Sequence, residues 1–280
     1  MIKKKLIKNA RKIDQFLIKF LKKQQSSLLV KPMKYGVISG GKKIRSTIIF
    51  DAGKIFNISE KKLINICAAV ECIHSYSLIH DDLPCMDNDT IRRGKPATHI
   101  KFGEASAVLA GSSLLTLAFE IIADKKYLLN PKAKNEIIKF LSSCSGHTGI
   151  AGGQELDLKF ENKKKGINQI IDMQKKKTGK LFNFCLYAVG VVAKKNTKDK
   201  LFLSNLGEEI GLLFQLADDF LDFRGLKKLL GKPVKKDHKK GKSTLLNLMG
   251  EKKAYLFANN LKRKILRKLE KHGKNAKELI

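Results

Sequence analysis

The chain has 280 residues, 43% of them hydrophobic, with five prolines and a formal net charge of +31. That length and apolar content exclude a disordered or fibrous chain and allow one large domain or two ordinary ones. Such a charge suits nucleic acid, an anionic surface or a polyanionic substrate, yet 50 Lys and 7 Arg are spread from end to end with no basic tail, so most of it reads as a solvated surface.

Residues 3–25 mix Lys with Ile, Leu and Phe at helical intervals and read as an amphipathic helix, without the apolar core and cleavage site of a leader. Further helices are predicted over 44–56, 60–82, 104–124, 134–151, 167–192, 196–223 and 252–272. Breakers punctuate them: Ser39-Gly40-Gly41, Asn57-Ile58-Ser59, Arg93-Gly94-Lys95-Pro96, Asn130-Pro131 and Gly231-Lys232-Pro233. Residues 181–192, apolar on most faces, suit the centre of a bundle. There is no strand-type alternation, no internal repeat and no linker, so residues 1–280 read as a single all-α domain. The longest weakly polar run, Ala105 to Phe119, is 15 residues, short of the about 20 that a membrane span needs, so no stable membrane insertion is expected. Cys67, Cys72, Cys85, Cys144 and Cys185 are odd in number and lack Cys-x-x-Cys spacing, which predicts thiols in a reducing cytoplasm and no zinc.

A first acid cluster lies in His80-Asp81-Asp82-Leu83-Pro84-Cys85-Met86-Asp87-Asn88-Asp89, at the end of the helix predicted over 60–82. Pro84 cannot donate to the carbonyl of His80, so the helix should loosen there and let Asp87 swing back beside Asp81. A second cluster, Asp218-Asp219-Phe220-Leu221-Asp222, puts Asp218 and Asp222 on one helical face with Gln215 a turn earlier. Paired carboxylates among apolar neighbours suit a hard divalent cation such as Mg²⁺, held by one or two carboxylates, water and substrate phosphate. Cationic groups would complete a diphosphate site: Lys42 and Arg45 where Gly40-Gly41 opens a helix, Arg92, Arg93, Lys177 with Thr178, and Lys232. Gly241-Lys242-Ser243-Thr244 lacks the earlier glycine and the preceding strand of a phosphate loop, which excludes an ATPase of that kind. His80 beside Asp81 is either a general base or a structural histidine.

These elements together resemble the trans-isoprenyl diphosphate synthases, most closely the bacterial farnesyl diphosphate synthases. The residues from Glu71 to Pro84 look like the family's first aspartate-rich motif and its lead-in, and Asp218 to Asp222 like the second. Gly-Gly-Lys-x-x-Arg, the Lys-Thr pair and Gly-Gly-Gln-x-x-Asp-Leu (Gly152 to Leu158) occur in the family's order. The resemblance implies a bundle of about ten or more helices around a deep central cavity, a cytoplasmic homodimer, and about three Mg²⁺ per active site, two of them at the first motif. It implies that Asp81, Asp87 and Asp218 ligate metal, with Asp82, Asp219 and Asp222 in support. Lys42, Arg45, His74 and Arg93 would hold isopentenyl diphosphate, and Arg92, Lys177, Thr178, Gln215 and Lys232 would face the allylic diphosphate. The implied reaction is condensation with dimethylallyl and geranyl diphosphate to farnesyl diphosphate through an allylic carbocation.

Tyr76 lies five residues before Asp81, about 7.5 Å along a helix. The resemblance puts it, with Ser77 beside it, beneath the growing tail, where an aromatic limits length. A geranyl or geranylgeranyl diphosphate synthase is the alternative within the family, and a basic helical nucleic-acid-binding protein the alternative outside it. Asn88 departs from the usual Asp, Gly225-Leu226 from Gly-Asp, and Thr244-Leu245 from the usual Tyr-Pro after the Thr. The C-terminus, without the family's basic tail, is expected to close the filled site weakly.

Overall fold

The structure is a computed structural model and describes residues 2–24, 27–38, 40–223, 225, 244–270, 272–273, 276 and 279. In chain order the elements are α1 (Ile2–Lys22), α2 (Val30–Ile38), α3 (Ile44–Ile55), α4 (Glu60–Asp81), the hairpin strands β1 (Ile91–Arg92) and β2 (Lys95–Pro96), α5 (Thr98–Phe102), α6 (Glu104–Ala123), α7 (Pro131–Ser145), α8 (Ile150–Phe160) and α9 (Ile167–Gln174). A single π-helical turn (Lys175–Gly179) follows, then α10 (Lys180–Val192), α11 (Thr197–Phe223), α12 (Leu245–Met249) and α13 (Glu251–Glu270). The protein is all-α, as the periodicity predicts. Contacts divide it into two compact units, Met1–Lys139 with Ala188–Lys195, and Phe140–Tyr187 with Asn196–Ile280.

The first unit is built on α4, whose Leu63, Ile66, Cys67, Ala68, Val70, Cys72 and Ile73 are fully buried. Helix α6 packs on it through Ala107, Ala110, Leu114 and Ile121. Polar bonds tie the two helices: Asn65 Nδ2 donates to the Ile121 carbonyl at 3.0 Å, and His80 Nε2 meets the Val108 carbonyl at 3.0 Å. A β-carbon at Gly111 would sit 2.2 Å from that His80 nitrogen, so the close approach requires glycine. Between the two readings of His80, this contact favours the structural one. Both α4 and α6 have the length and apolarity of a membrane span, with 78% of the apolar window buried in α4 and 44% in α6. The 20 residues of α6 exceed the weakly polar run counted from sequence, because the helix continues through Glu120 to Ala123.

Helices α2, α5, α8 and α12 escaped the sequence patterns. Helix α2 carries Pro32 in its first turn, where proline is tolerated, and Gly36, whose β-carbon would fall 2.4 Å from Ile79 Cδ1. Helix α8 runs through Gly152-Gly153, where the missing β-carbons allow close packing. The helix expected over 134–151 accordingly ends at Ser145, and α8 starts at Ile150.

In the second unit Ile170, Met173, Leu212, Leu216 and Leu245 form a core against which Phe257, Ala258 and Leu261 of α13 pack. The helix expected over 167–192 is present but passes through the π turn. The missing β-carbon of Gly207 lets α11 approach the Phe182 carbonyl, which that atom would crowd at 2.4 Å.

Candidate active site

Asp81 ends α4, and the chain then folds back on it. The Asp87 amide donates to the Asp81 carbonyl at 2.8 Å, Asp89 to Asp82 at 3.1 Å, and Asn88 to Leu83 at 3.0 Å. The predicted return of Asp87 after Pro84 is thus fixed by backbone bonds. Asn88 has φ 49°, a left-handed conformation that asparagine accepts readily, which suits this residue at the departure from the family pattern.

Arg92 binds the acids that are sealed inside. Its Nε donates to both Asp82 oxygens at 3.0 and 3.2 Å, its Nη2 also donates to Asp82 Oδ1, and Nη2 lies 3.4 Å from Asp89 Oδ2. Asp82 and Asp89 are only 2% and 6% exposed, whereas Asp81 and Asp87 are half-buried. Burial pushes the Asp82 carboxyl up against the pull of Arg92. Burial likewise works against the Arg92 charge, but the Asp82 carboxylate raises the guanidinium above its ordinary value. The cluster therefore separates into an Arg-clamped interior pair and a half-exposed pair able to offer oxygen to a hard cation.

Arg93 and Gly94, at φ 53° and 74°, form the two-residue turn between β1 and β2. The turn sends Arg93 away from Arg92. Its Nη1 donates to the Gly40 carbonyl at 2.8 Å, and a β-carbon at Gly41 would meet its Cζ at 2.8 Å. Gly40 and Gly41 are themselves left-handed (φ 96° and 101°), so the Gly-Gly turn makes a bed for this guanidinium. Exposed Lys42 and then Lys43 lead into helix α3, whose first turn carries half-buried Arg45. His74 completes the group. Burial, then Arg45, Arg93, Lys43 and Arg92, hold its imidazole well below its ordinary range, so the ring is neutral at pH 7. Burial lowers Arg93, with Glu71 opposing. Of the predicted group Lys42, Arg45, His74 and Arg93, the structure sets Arg45 and Arg93 near enough to His74 for their charges to act on its ring.

Tyr76 is 7% exposed and meets the His80 ring edge-on at 5.8 Å. Burial and the Asp81 carboxylate push its hydroxyl up to about 12. Ser77, also buried, donates to the His74 carbonyl at 3.0 Å and so turns back into its own helix.

In the second unit the π turn presents Lys177 and Thr178, and nearly every residue of it is pinned. Lys177 Nζ lies 2.5 Å from Asp157 Oδ2 on α8, and Thr178 Oγ1 donates to Gln215 Oε1 on α11 at 2.8 Å. Lys175, the first residue of the turn, and Lys180, just after it, both pair with Glu208 at 3.2 and 3.0 Å. A β-carbon at Gly153 would fall 2.2 Å from the Lys177 amide nitrogen, so α8 lies directly against the turn. Isolated π turns recur at functional sites because they displace side chains from the regular helical register.

Helix α11 ends with the second acid cluster. Asp219 is buried and accepts from Gln215 Nε2 at 2.9 Å and from Gln174 Nε2 at 3.1 Å. Gln215 therefore links Thr178 to Asp219, rather than simply accompanying Asp218 and Asp222 on their face. Asp222 is buried and Asp218 half-buried. Lys232, the remaining predicted contact, lies outside the described residues.

Sequence reasoning did not single out Asp157, Gln174 or Asp89. The Asp157 signal was its place in Gly-Gly-Gln-x-x-Asp. Asp89 stood within the first acid cluster without a role of its own, and Gln174 had no signal beyond proximity to the Lys-Thr pair.

A sequence model of the polyprenyl synthetase family matches residues 26–280. The farnesyl diphosphate synthase of Escherichia coli (strain K12) is 41% identical over 239 residues, covering 85% of this chain and 80% of that protein. An FPP/GFPP synthase from Zymomonas mobilis, solved without ligand, superposes at a TM-score of 0.88 with 36% identity, covering 99% of this chain and 95% of the other. A geranyltransferase from Helicobacter pylori, solved with magnesium and isoprenyl diphosphate, gives 0.84 at 30% identity, with 99% and 95% covered.

Proposed function

The chain belongs to the polyprenyl synthetase family, and on that premise we propose that it is a Mg²⁺-dependent trans-prenyltransferase condensing isopentenyl diphosphate with dimethylallyl and geranyl diphosphate to give farnesyl diphosphate. The observation that carries this reading is the division of the first acid cluster, with Asp82 and Asp89 clamped by Arg92 and Asp81 and Asp87 half-exposed and joined by a backbone bond. That donor set suits magnesium, which takes oxygen from one or two carboxylates and the rest from water and substrate phosphate. Among the described residues no three His, Cys, Asp or Glu side chains converge as a ready-made metal cage, and a phosphate-completed site needs none. When bound, magnesium neutralises the charge that grows on the departing diphosphate.

The chain's own residues supply the rest. Asp81, Asp87 and Asp218 are the metal-holding carboxylates, and Asp82, Asp219 and Asp222 orient them. Lys42, Arg45, His74 and Arg93 bind isopentenyl diphosphate, with His74 neutral and donating one ring hydrogen. Arg92, Lys177 and Lys232 bind the allylic diphosphate and offset the charge that develops as it leaves. Gln215 and Thr178 face the same substrate. The isopentenyl double bond attacks the allylic carbocation, and the proton lost afterwards goes to the released diphosphate, so no protein nucleophile is used. Exclusion of water by apolar walls protects the cation. Tyr76, buried five residues before Asp81, favours a fifteen-carbon product.

The family match runs through both compact units, which supports one catalytic domain over 1–280. Exposed Val108 and Leu109 on α6, at 42% and 53%, support a homodimer that covers this face. Five thiols without a disulfide support the cytoplasm. The test is incubation of labelled isopentenyl diphosphate with each primer and Mg²⁺, followed by sizing of the products. Farnesyl diphosphate, abolished by chelation, is expected. Products of ten or twenty carbons would favour the sister activities, and absence of transfer with steeply salt-dependent DNA binding would overturn the reading.

A further inference from the structure

The turn that opens α3 is held by groups the reaction does not use. Lys43, the residue before the helix, is left-handed at φ 45° and ψ 48°. That conformation costs a residue with a β-carbon roughly 1–2 kcal/mol. Its side chain is nevertheless only 1% exposed, so the ammonium points inward rather than to solvent. There Nζ donates to the Val37 carbonyl at 2.5 Å and lies 3.5 Å from Asp14 Oδ1 on α1. On the other side of the turn, buried Glu71 accepts from the Ser46 amide at 3.3 Å and from Ser46 Oγ at 2.8 Å. Helix α1 makes further polar contacts with α3: Asn9 Nδ2 donates to Thr47 Oγ1 at 3.2 Å, and Lys5 pairs with Asp51 at 2.8 Å. Yet α1 lies outside the residues matched by the family model.

Three of the four residues from Gly40 to Lys43 are left-handed. Such a turn is stable only if something over-determines it. The buried ammonium does so at Lys43, and it needs a counter-charge, because an uncompensated buried charge is strongly unfavourable. Asp14 supplies that charge from a separate helix. Burial raises its carboxyl above the ordinary range, while Lys43, by its charge and hydrogen bond, opposes the rise.

We propose that Asp14 is a positioning residue for the isopentenyl diphosphate subsite: through the buried Lys43 ammonium, α1 locks the left-handed turn that sets Lys42, Arg45 and the Gly41 bed of Arg93. The inference rests on the functional reading above. Asp14 touches no substrate; it fixes where the diphosphate-binding cations stand before substrate arrives, so its loss acts on affinity and not on the chemical step.

The test is Asp14→Asn, at a half-buried position on a helix whose apolar contacts remain, with Asp14→Glu as the conservative variant. KM for isopentenyl diphosphate should rise about tenfold, equivalent to about 1.4 kcal/mol. The kcat and the KM for geranyl diphosphate should stay within twofold, and Asp14→Glu should recover most of the loss. A general structural role would instead lower Tm and move all three parameters together, and that result overturns the proposal, as does an unchanged KM. Calorimetric titration of inorganic diphosphate into metal-free protein reads the same subsite without turnover. Tenfold weaker binding by Asp14→Asn supports the proposal even if prenyl transfer itself is absent from the wild type, and equal binding overturns it.

Discussion

Replacing Gly153 by alanine asks whether the π turn must sit where it does. The new β-carbon would lie 2.2 Å from the Lys177 amide nitrogen and 2.5 Å from its Cα. Ordinary contact begins at 3.4 Å, so α8 and the turn must part by about 1.2 Å, and backbone, unlike a side chain, cannot rotate aside. Overpacking of this kind costs about 1–3 kcal/mol. The same displacement would carry the Lys177–Asp157 contact from 2.5 Å beyond hydrogen-bonding range and disturb the 2.8 Å bond from Thr178 to Gln215. Misplacement of a positioning group by about 1 Å costs on the order of 10²-fold in rate. The assay is kcat with geranyl and isopentenyl diphosphates, together with a thermal melt. Gly166→Ala is the control, since its β-carbon meets only Gln169 Oε1 at 3.8 Å. We expect a folded Gly153→Ala protein with kcat reduced about 10²-fold and a control near wild type. A Gly153→Ala enzyme with wild-type Tm and kcat would refute the reasoning.

Other variants probe the first unit. Tyr76→Ala removes a side chain that is 7% exposed; products beyond fifteen carbons are expected, and an unchanged chromatogram would remove Tyr76 as the length determinant. Arg92→Ala strips the guanidinium shared by Asp82 and Asp89 and should cost about 3–5 kcal/mol in urea denaturation, with part regained in Arg92→Ala/Asp82→Asn. Additive losses in the double variant would show that the clamp stores no coupling. His74 is held below its unfolded pKa of about 6.5, so the unfolded chain binds the proton first as pH falls. The stability from the neutral ring is complete above about pH 6.5 and declines below it by up to about 1.4 kcal/mol per pH unit. Denaturation at pH 7.5 and 5.5 should show a steeper loss for wild type than for His74→Gln.

Much of this site could be read from the chain alone because carboxylates, arginines and glycines stand out against a lysine-rich background. Pro84 made the return of Asp87 a prediction, and the backbone bond between Asp87 and Asp81 bears it out. The rest depended on contacts between distant segments. Nothing local marks Lys43 among 50 lysines as the one whose ammonium turns inward to Val37 and Asp14. Nothing in Gly152-Gly153 itself tells whether the missing side chains free the backbone or admit a neighbour, and only the packing of α8 on the π turn decides it. The π turn was invisible for a related reason. Its sequence, Lys175 to Gly179, has ordinary helical character, and the extra residue is set by what α8 and α11 press against it.

The two-residue tip at Arg93-Gly94 bears on how this protein can vary. A hairpin tip with nothing within 4 Å of its glycine β-carbon is ordinarily where a chain accepts insertions and deletions. Here the strands pair Ile91 with Pro96 and Arg92 with Lys95, and the tip sends two neighbouring guanidiniums to different destinations. Because side chains alternate along a strand, one added residue would exchange or cancel those destinations. Among sequences descended from this one, the length of 91–96 should therefore be held, whereas in buried α4 one apolar side chain can replace another.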